Sequence, residues 1–139
     1  MKKVLVFLVV ITLASCAALN RYPVLITMED AVLIENNSVG NEWSTTATVD
    51  GTELAVGESI VVDLRPGVLL EATATEQDSI PDVGQVEKTL RVYDLISTGN
   101  LIEYYRVRLD VVVTEDQGTY AGNTALWQYM FLIEPALAF

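Results

Sequence analysis

Glu76, Asp78 and Asp82 fall within a stretch of seven residues, and Glu115 and Asp116 form a second acidic pair further along. Carboxylates so placed can do two kinds of chemistry. An opposed pair can act as acid and base, or acid and nucleophile, on a glycosidic bond. A convergent set can hold calcium, which takes roughly six to eight oxygen ligands from carboxylates, amides and carbonyls. The residues that would support other chemistry are missing. The chain has no histidine, one cysteine and no glycine-rich phosphate loop. That excludes Ser-His-Asp and Cys-His catalysis, the usual zinc sites and a nucleotide cradle.

The one thiol, Cys16, has a different setting. Met1-Lys2-Lys3 is a positively charged n-region, and Val4 to Leu13 is an apolar h-region of ten residues. This is the layout of a secretory signal. Ten residues rise about 15 Å as a helix, half of a hydrocarbon core of roughly 30 Å, so the run is too short to span a membrane. Leu13-Ala14-Ser15-Cys16 resembles the lipobox of bacterial lipoprotein precursors. That resemblance implies removal of residues 1–15, diacylglyceryl transfer to the Cys16 thiol, and acylation of the new amino group by a fatty acid such as palmitate. It also implies a place in the cell envelope. Ala17, where an Asp would signal retention, points to the outer membrane in a host that has one. A single acyl chain holds a protein marginally, and two or three hold it firmly.

Cleavage before Cys16 leaves 124 of the 139 residues, enough for one domain with a core. We expect residues 16–22 to be a short membrane tether and residues 23–139 to be the domain. Without Lys2 and Lys3 the mature chain carries six basic and nineteen acidic residues, a net charge of −13. Such a body does not bind nucleic acid through phosphates and is repelled by anionic headgroups, so the membrane is held through the lipid. With Cys16 committed to the anchor, no disulfide or cysteine metal cluster can form.

From residue 24 the pattern is β throughout, rich in Val, Ile, Thr and Tyr and punctuated by Gly, Pro, Asn and Asp. Strands are expected at Ala31–Glu35, Trp43–Val49, Thr52–Ala55, Glu58–Leu64, Val68–Thr75, Val86–Ile96, Leu101–Thr114 and Ala125–Ile133. Asp50-Gly51 is the strongest hairpin signal. Alternation puts Trp43, Thr45, Ala47 and Val49 on one face of their strand. Val68, Leu70, Ala72 and Ala74 form a second set, Tyr105, Val107, Leu109, Val111 and Val113 a third, and Trp127, Tyr129, Phe131 and Ile133 a fourth. These are core stripes, and Trp127 and Tyr129 are given no binding role. About eight short strands indicate an all-β antiparallel sandwich, C2-like or immunoglobulin-like, with a closed barrel as the alternative.

Three polar loops stand out, at 36–42, 76–84 and 115–123. If Thr52–Ala55 counts as a strand, they are the first, fifth and seventh connections, and odd connections of an antiparallel chain share one end. The second and third share an end in either case. Ala72-Thr73-Ala74-Thr75-Glu76-Gln77-Asp78 followed by Pro81-Asp82-Val83-Gly84 is similar to the strand-and-acidic-loop signature of C2-like sandwiches. The resemblance implies calcium or partner binding at that end, with Glu76, Asp78 and Asp82 as the matched acidic positions. The first loop departs from it, offering Asn36, Asn37, Asn41 and Glu42 in place of Asp.

Three functions follow as expectations. The first is a lipid-anchored, non-enzymatic envelope protein that binds another envelope component or stabilises an assembly. The second is a calcium-dependent binding module using Glu76, Asp78, Asp82, Glu115 and Asp116. The third is a carboxylate-based hydrolase, for which adjacent loop acids are poorly disposed and the chain is short. Arg106 and Arg108 share a strand face with Tyr104 and Asp110, either as an anion clamp or as the solvated side of a half-buried strand.

Overall fold

The computed structural model describes residues 21–97, 100, 101 and 104–136. Residues 1–15, Cys16 and the first part of the tether lie outside them. Alternating burial forms eight of the strands into two four-stranded antiparallel sheets. The first has the order β4-β1-β10-β9, with β1 Pro23–Asn36, β4 Ser59–Asp63, β9 Tyr105–Thr114 and β10 Thr124–Pro135. The second has the order β3-β2-β5-β6, with β2 Trp43–Val49, β3 Thr52–Glu53, β5 Val68–Glu76 and β6 Asp82–Leu90. A short hairpin, β7 Ile96–Ser97 with β8 Asn100–Leu101, stands apart after a 3₁₀ turn at Val92–Leu95. Because the two sheets are separate, the fold is a sandwich of eight strands and not a barrel.

The core lies between the sheets. β5 alternates without a fault, so Val68, Leu70, Ala72 and Ala74 are fully buried. β9 and β10 answer with Val107, Leu109, Val111, Val113, Tyr129, Phe131 and Ile133. In β2, Ala47 and Val49 are buried and Trp43 packs against the core, while Thr45 in the same phase stays exposed. The Tyr129 hydroxyl crosses the core and donates to the Thr73 carbonyl at 2.6 Å. Burial pushes its phenol up to about 12.

The expected Leu101–Thr114 strand is β9 from Tyr105, with Leu101 in β8, and most other strands move by one or two residues; two strands differ most from their expected bounds. β1 runs fourteen residues, from Pro23 rather than Ala31. Its pairing with β10 shifts between Met28 and Asp30. The extra residue, Glu29, changes the phase, so Val24, Ile26 and Met28 point inward before it and Ala31 and Leu33 after it. A period-two reading breaks at such a bulge. β6 begins at Asp82 rather than Val86 and ends at Leu90. Its first residues pair with the top of β5, Asp82 opposite Glu76 and Gly84 opposite Ala74.

At Gly84 the two sheets approach closely. A Cβ there would collide with the Val112 carbonyl oxygen and lie 2.9 Å from a Val111 methyl, both on β9. Only a residue without a side chain lets β6 lie so near β9. Gly84→Ala is therefore expected to lower the unfolding free energy by about 1–3 kcal/mol in denaturant melts. Tyr129→Phe removes the hydrogen bond to the Thr73 carbonyl and is expected to cost about 1–2 kcal/mol. Tyr129 gains proton affinity on folding. Its stabilisation is whole below pH 10 and fades as pH rises through about 12, so the parent's excess stability over Tyr129→Phe should shrink across that range.

Candidate functional site

The acidic loops belong to one end of the sandwich. β1, β5 and β9 end there, and β2, β6 and β10 begin there. The loops are 37–42 between β1 and β2, 77–81 between β5 and β6, and 115–123 between β9 and β10. All three contribute to an open hollow of about 700 Å³ lined by Ser38, Gly40, Asn41, Glu42, Glu76, Asp78, Glu115 and Tyr120. A second hollow of about 310 Å³ adjoins it and shares Asp78 and Glu115, with Asp82, Ile80 and Gln117 on its wall. The three loops thus meet as the parity with a separate third strand requires. β4 is short and pairs only with the lower half of β1, Pro23 to Thr27, so the preceding connection never climbs to the acidic end.

Glu76 and Asp82 are not loop residues. They occupy the last inward position of β5 and the first of β6, directly opposite each other, and each is only 3% exposed. Buried carboxylates need donors, and the loops provide them. Asp78 N–H donates to Glu76 Oε2 at 3.1 Å, and Asp116 N–H donates to Asp82 Oδ1 at 3.1 Å. Asp78 in turn accepts from Ile80 N–H at 2.7 Å, closing its own turn. The first loop is shaped by Asn36, whose side chain accepts from Val39 N–H and donates to the Gly40 carbonyl, both at 2.8 Å. Val39 is thereby inserted as a fully buried plug at the end of the core. Gly40 has φ +50°, and a Cβ there would run into the Glu76 carboxylate.

Glu115 stands among these charges with no basic neighbour in the three loops. Desolvation, then the charges of Asp82, Asp78, Glu76 and Asp116, raise its carboxyl above the usual 4.5. Of the five acidic residues singled out in the sequence, Glu76, Asp78, Asp82 and Glu115 line the two hollows. Asp116 lines neither and takes part through its backbone N–H and its charge. Among the described residues, no group of three or more Asp or Glu is arranged to hold a metal ion. Sequence reasoning missed Tyr120, 58% exposed on the wall, and Gly40, whose signal was its place between Asn36 and Asn41 in a turn-rich loop.

One layer below the loops, Trp43 and Trp127 meet edge to face, centroids 5.6 Å apart at 61°. Both indole N–H groups are buried without an acceptor. Arg106 is not a free anion clamp. It holds Glu29 with two hydrogen bonds of 2.7 and 3.0 Å and lies 5.5 Å from the Tyr104 ring, while Arg108 pairs with Asp110 at 3.2 Å.

Compared with known families and curated proteins, the chain matches no family model and no curated sequence. Geometry alone has to carry the functional argument.

Because Glu115 binds its proton more tightly folded than unfolded, its favourable contribution is whole below pH 4.5. That contribution is lost as pH rises through the higher folded value. Glu115→Gln is therefore expected to melt above the parent at pH 7, with the gap closing as pH falls below 4.5. Scanning calorimetry at both pH values checks this.

Proposed function

We propose that this protein is a lipid-anchored component of a bacterial cell envelope, a non-enzymatic binding module that offers its acidic end to a partner. One observation supports the reading, the polarity of the sandwich. The chain enters β1 at Pro23, at the end opposite the acidic loops. The entry is pinned. Asp63 Oδ1 accepts from the N–H groups of Tyr22 and Arg65 at 2.9 and 3.1 Å, and Leu64 N–H donates to the Tyr22 carbonyl at 2.9 Å. β1 then runs about 45 Å, at roughly 3.3 Å per residue, before it meets the first loop. A lipid on Cys16, with residues 16–22 as tether, holds the entry end within roughly 25 Å of the bilayer. The hollow faces away from it. A partner with a basic surface is steered to that end by its unbalanced charge.

The anchor is tested by Cys16→Ala, expected to abolish palmitate labelling and to accumulate the uncleaved precursor. A mature, membrane-held variant overturns the anchor. A photo-crosslinker at Tyr120, in the hollow, is expected to give an adduct in intact cells that the same group at Thr89, near the other end, does not. Turnover of an envelope substrate that disappears in Glu115→Gln would replace binding with carboxylate-based hydrolysis.

The unbalanced charge at Glu115 favours a second reading, a calcium-dependent module of the C2-like kind. Glu76, Asp78, Asp82 and Glu115 would supply carboxylate oxygens and Asn41 an amide, after the loops draw together around the ion. A folded-state ligand adds RT ln(1 + [L]/Kd), about 2.7 kcal/mol at a hundred times Kd. Millimolar calcium is then expected to raise the melting temperature by several degrees where magnesium does not. Asp78→Asn with Asp82→Asn should abolish the rise. An unchanged melt overturns this second reading and leaves the first in place.

A further inference from the structure

β1 outruns its neighbour. Of its fourteen residues, β4 pairs only with Pro23 to Thr27. The link before β4 takes up Met28, whose N–H donates to the Glu58 carbonyl at 3.0 Å and whose carbonyl accepts from Gly57 N–H at 2.7 Å. Above Met28, toward the acidic loops, no strand lies beside β1 on the side away from β10. Alternation fixes where its peptide groups point. Met28 faces the β4 side, and Asn37 N–H faces the other, donating to the Thr124 carbonyl. Carried through the two register shifts between them, that parity turns the N–H and carbonyl groups of Ala31 and Leu33 toward the open edge.

β2 is left bare in the same way. β3 pairs only with Thr48 and Val49, and the Ala47 carbonyl accepts from Leu54 N–H at 2.9 Å. By the same parity Trp43 and Thr45 face away from β5 with no strand beside them. The two bare edges lie on one side of the sandwich, opposite the side where β6 packs on β9. Thr45 is exposed there although its phase points it between the sheets. Behind the opening stand Trp43 and Trp127, the latter beside Leu33, with indole N–H groups that find no acceptor.

We propose that the upper half of β1 binds an extended segment of another protein, which joins the first sheet as a strand in line with β4. Main-chain hydrogen bonds to Ala31 and Leu33 would give the pairing, and side chains turned inward would meet the tryptophans. Charge selects the occupant. Register sets Asp30 beside Met130 and Glu35 beside Leu126, outward positions of β10. Val32, 40% exposed, lies between them, and among the described residues neither acid has a cationic partner. The complement is a strand with Lys or Arg at its outer positions and an apolar residue between. A second copy does not fit, because its own acidic edge would meet this one. The segments of this chain outside the described residues adjoin the lower ends of β1, β6, β9 and β10, away from the site. Bulges at Glu29 and Ile34 keep the edge from pairing with any strand at random.

The inference rests on the binding reading but not on the anchor, and it places the partner beside the acidic hollow instead of in it. The test is amide hydrogen exchange, followed by NMR on the isotope-labelled full chain. The probe is a synthetic eight-residue peptide alternating lysine and valine. The Ala31 and Leu33 amides are expected to exchange at least tenfold more slowly with the peptide present. The same peptide methylated at every backbone nitrogen keeps its charge and should protect neither. Asp30→Lys with Glu35→Lys, both at exposed positions, should lose the protection and regain it with a glutamate–valine peptide, with an unchanged melt as the check on folding. No protection at millimolar peptide, or equal protection by the methylated peptide, overturns the strand. Protection confined to the Gly118 and Tyr120 amides also overturns it and leaves the hollow as the binding site, so the two readings fail separately.

Discussion

The inward register of β5 and β6 is the constraint on which the acidic end depends. The alternation that buries Val68, Leu70, Ala72 and Ala74 must also turn position 76 inward, and that position is a glutamate. Pairing then sets Asp82 directly opposite. Two carboxylates side by side at the end of an apolar core are costly unless donors replace the lost water. The donors come from the loops: Asp78 N–H, on the turn that follows β5, for one acid and Asp116 N–H, from the β9–β10 loop, for the other, with Gly40 pressed against the Glu76 carboxylate. The buried acids therefore organise the loops. Segments separated by more than seventy residues in sequence are tied to two adjacent side chains, and the hollow between them is a by-product of satisfying those charges.

The same arrangement gives the molecule an electrical direction. The three loops hold no Lys or Arg. Arg21, Arg65 and Arg91 all sit at the other end, beside the entry to β1, the β4–β5 turn and the exit from β6. Each basic residue close to an anionic surface contributes about 1 kcal/mol of attraction. Under the proposed anchoring, local attraction at the entry end and repulsion from the rest would both turn the loops outward. On the anchored reading proposed above, orientation needs no contact beyond the tether. Glu29 and Asp63 add to the rigidity of the lower half. Hydrogen bonds from Arg106, and from the Tyr22 and Arg65 backbones, hold their carboxyls below the ordinary range. Their support is present above about 4.5 and 3.8 respectively, and is lost as pH falls below those values.

Much of the sandwich was legible because most strands obey one rule. β5, the end of β2 and the inner stripes of β9 and β10 alternate cleanly, and Asp50-Gly51 turns β2 into β3 as the dipeptide indicates. What escaped did so for identifiable reasons. The lower half of β1 was hidden by the bulge at Glu29, which shifts the period by one residue. The top of β6 was hidden because Asp82 and Gly84 have low strand propensity, yet each is demanded by tertiary context, one by its pairing with Glu76 and one by the closeness of β9. The 3₁₀ turn at Val92–Leu95 interrupts what composition presents as continuous strand. For the site, acidic residues at loop boundaries were visible, and so was their convergence by strand parity. Burial was not. Nothing in the spelling of Glu76-Gln77-Asp78 distinguishes a carboxylate that points into the core from one that points into water, because that depends on the register inherited from Val68 onward.

Register also decides the meaning of β10. A period-two count credits Trp127, Tyr129, Phe131 and Ile133 as a core stripe and leaves the intervening residues as the remainder. Pairing sets Met130 beside Asp30 and Arg108, and Leu132 beside Thr27 and Arg106, so that remainder is a mixed, solvated face. The second sheet is mixed in the same way, since outward Thr46, Thr48, Thr73 and Thr75 share their face with Leu69 and with Val83, 60% exposed. Apolar side chains scattered over a solvated face are ordinary for a folded protein. What register settles is therefore the inner stripes: the same alternation that fills the core from β5, β9 and β10 carries Glu76 and Asp82 inward at its end.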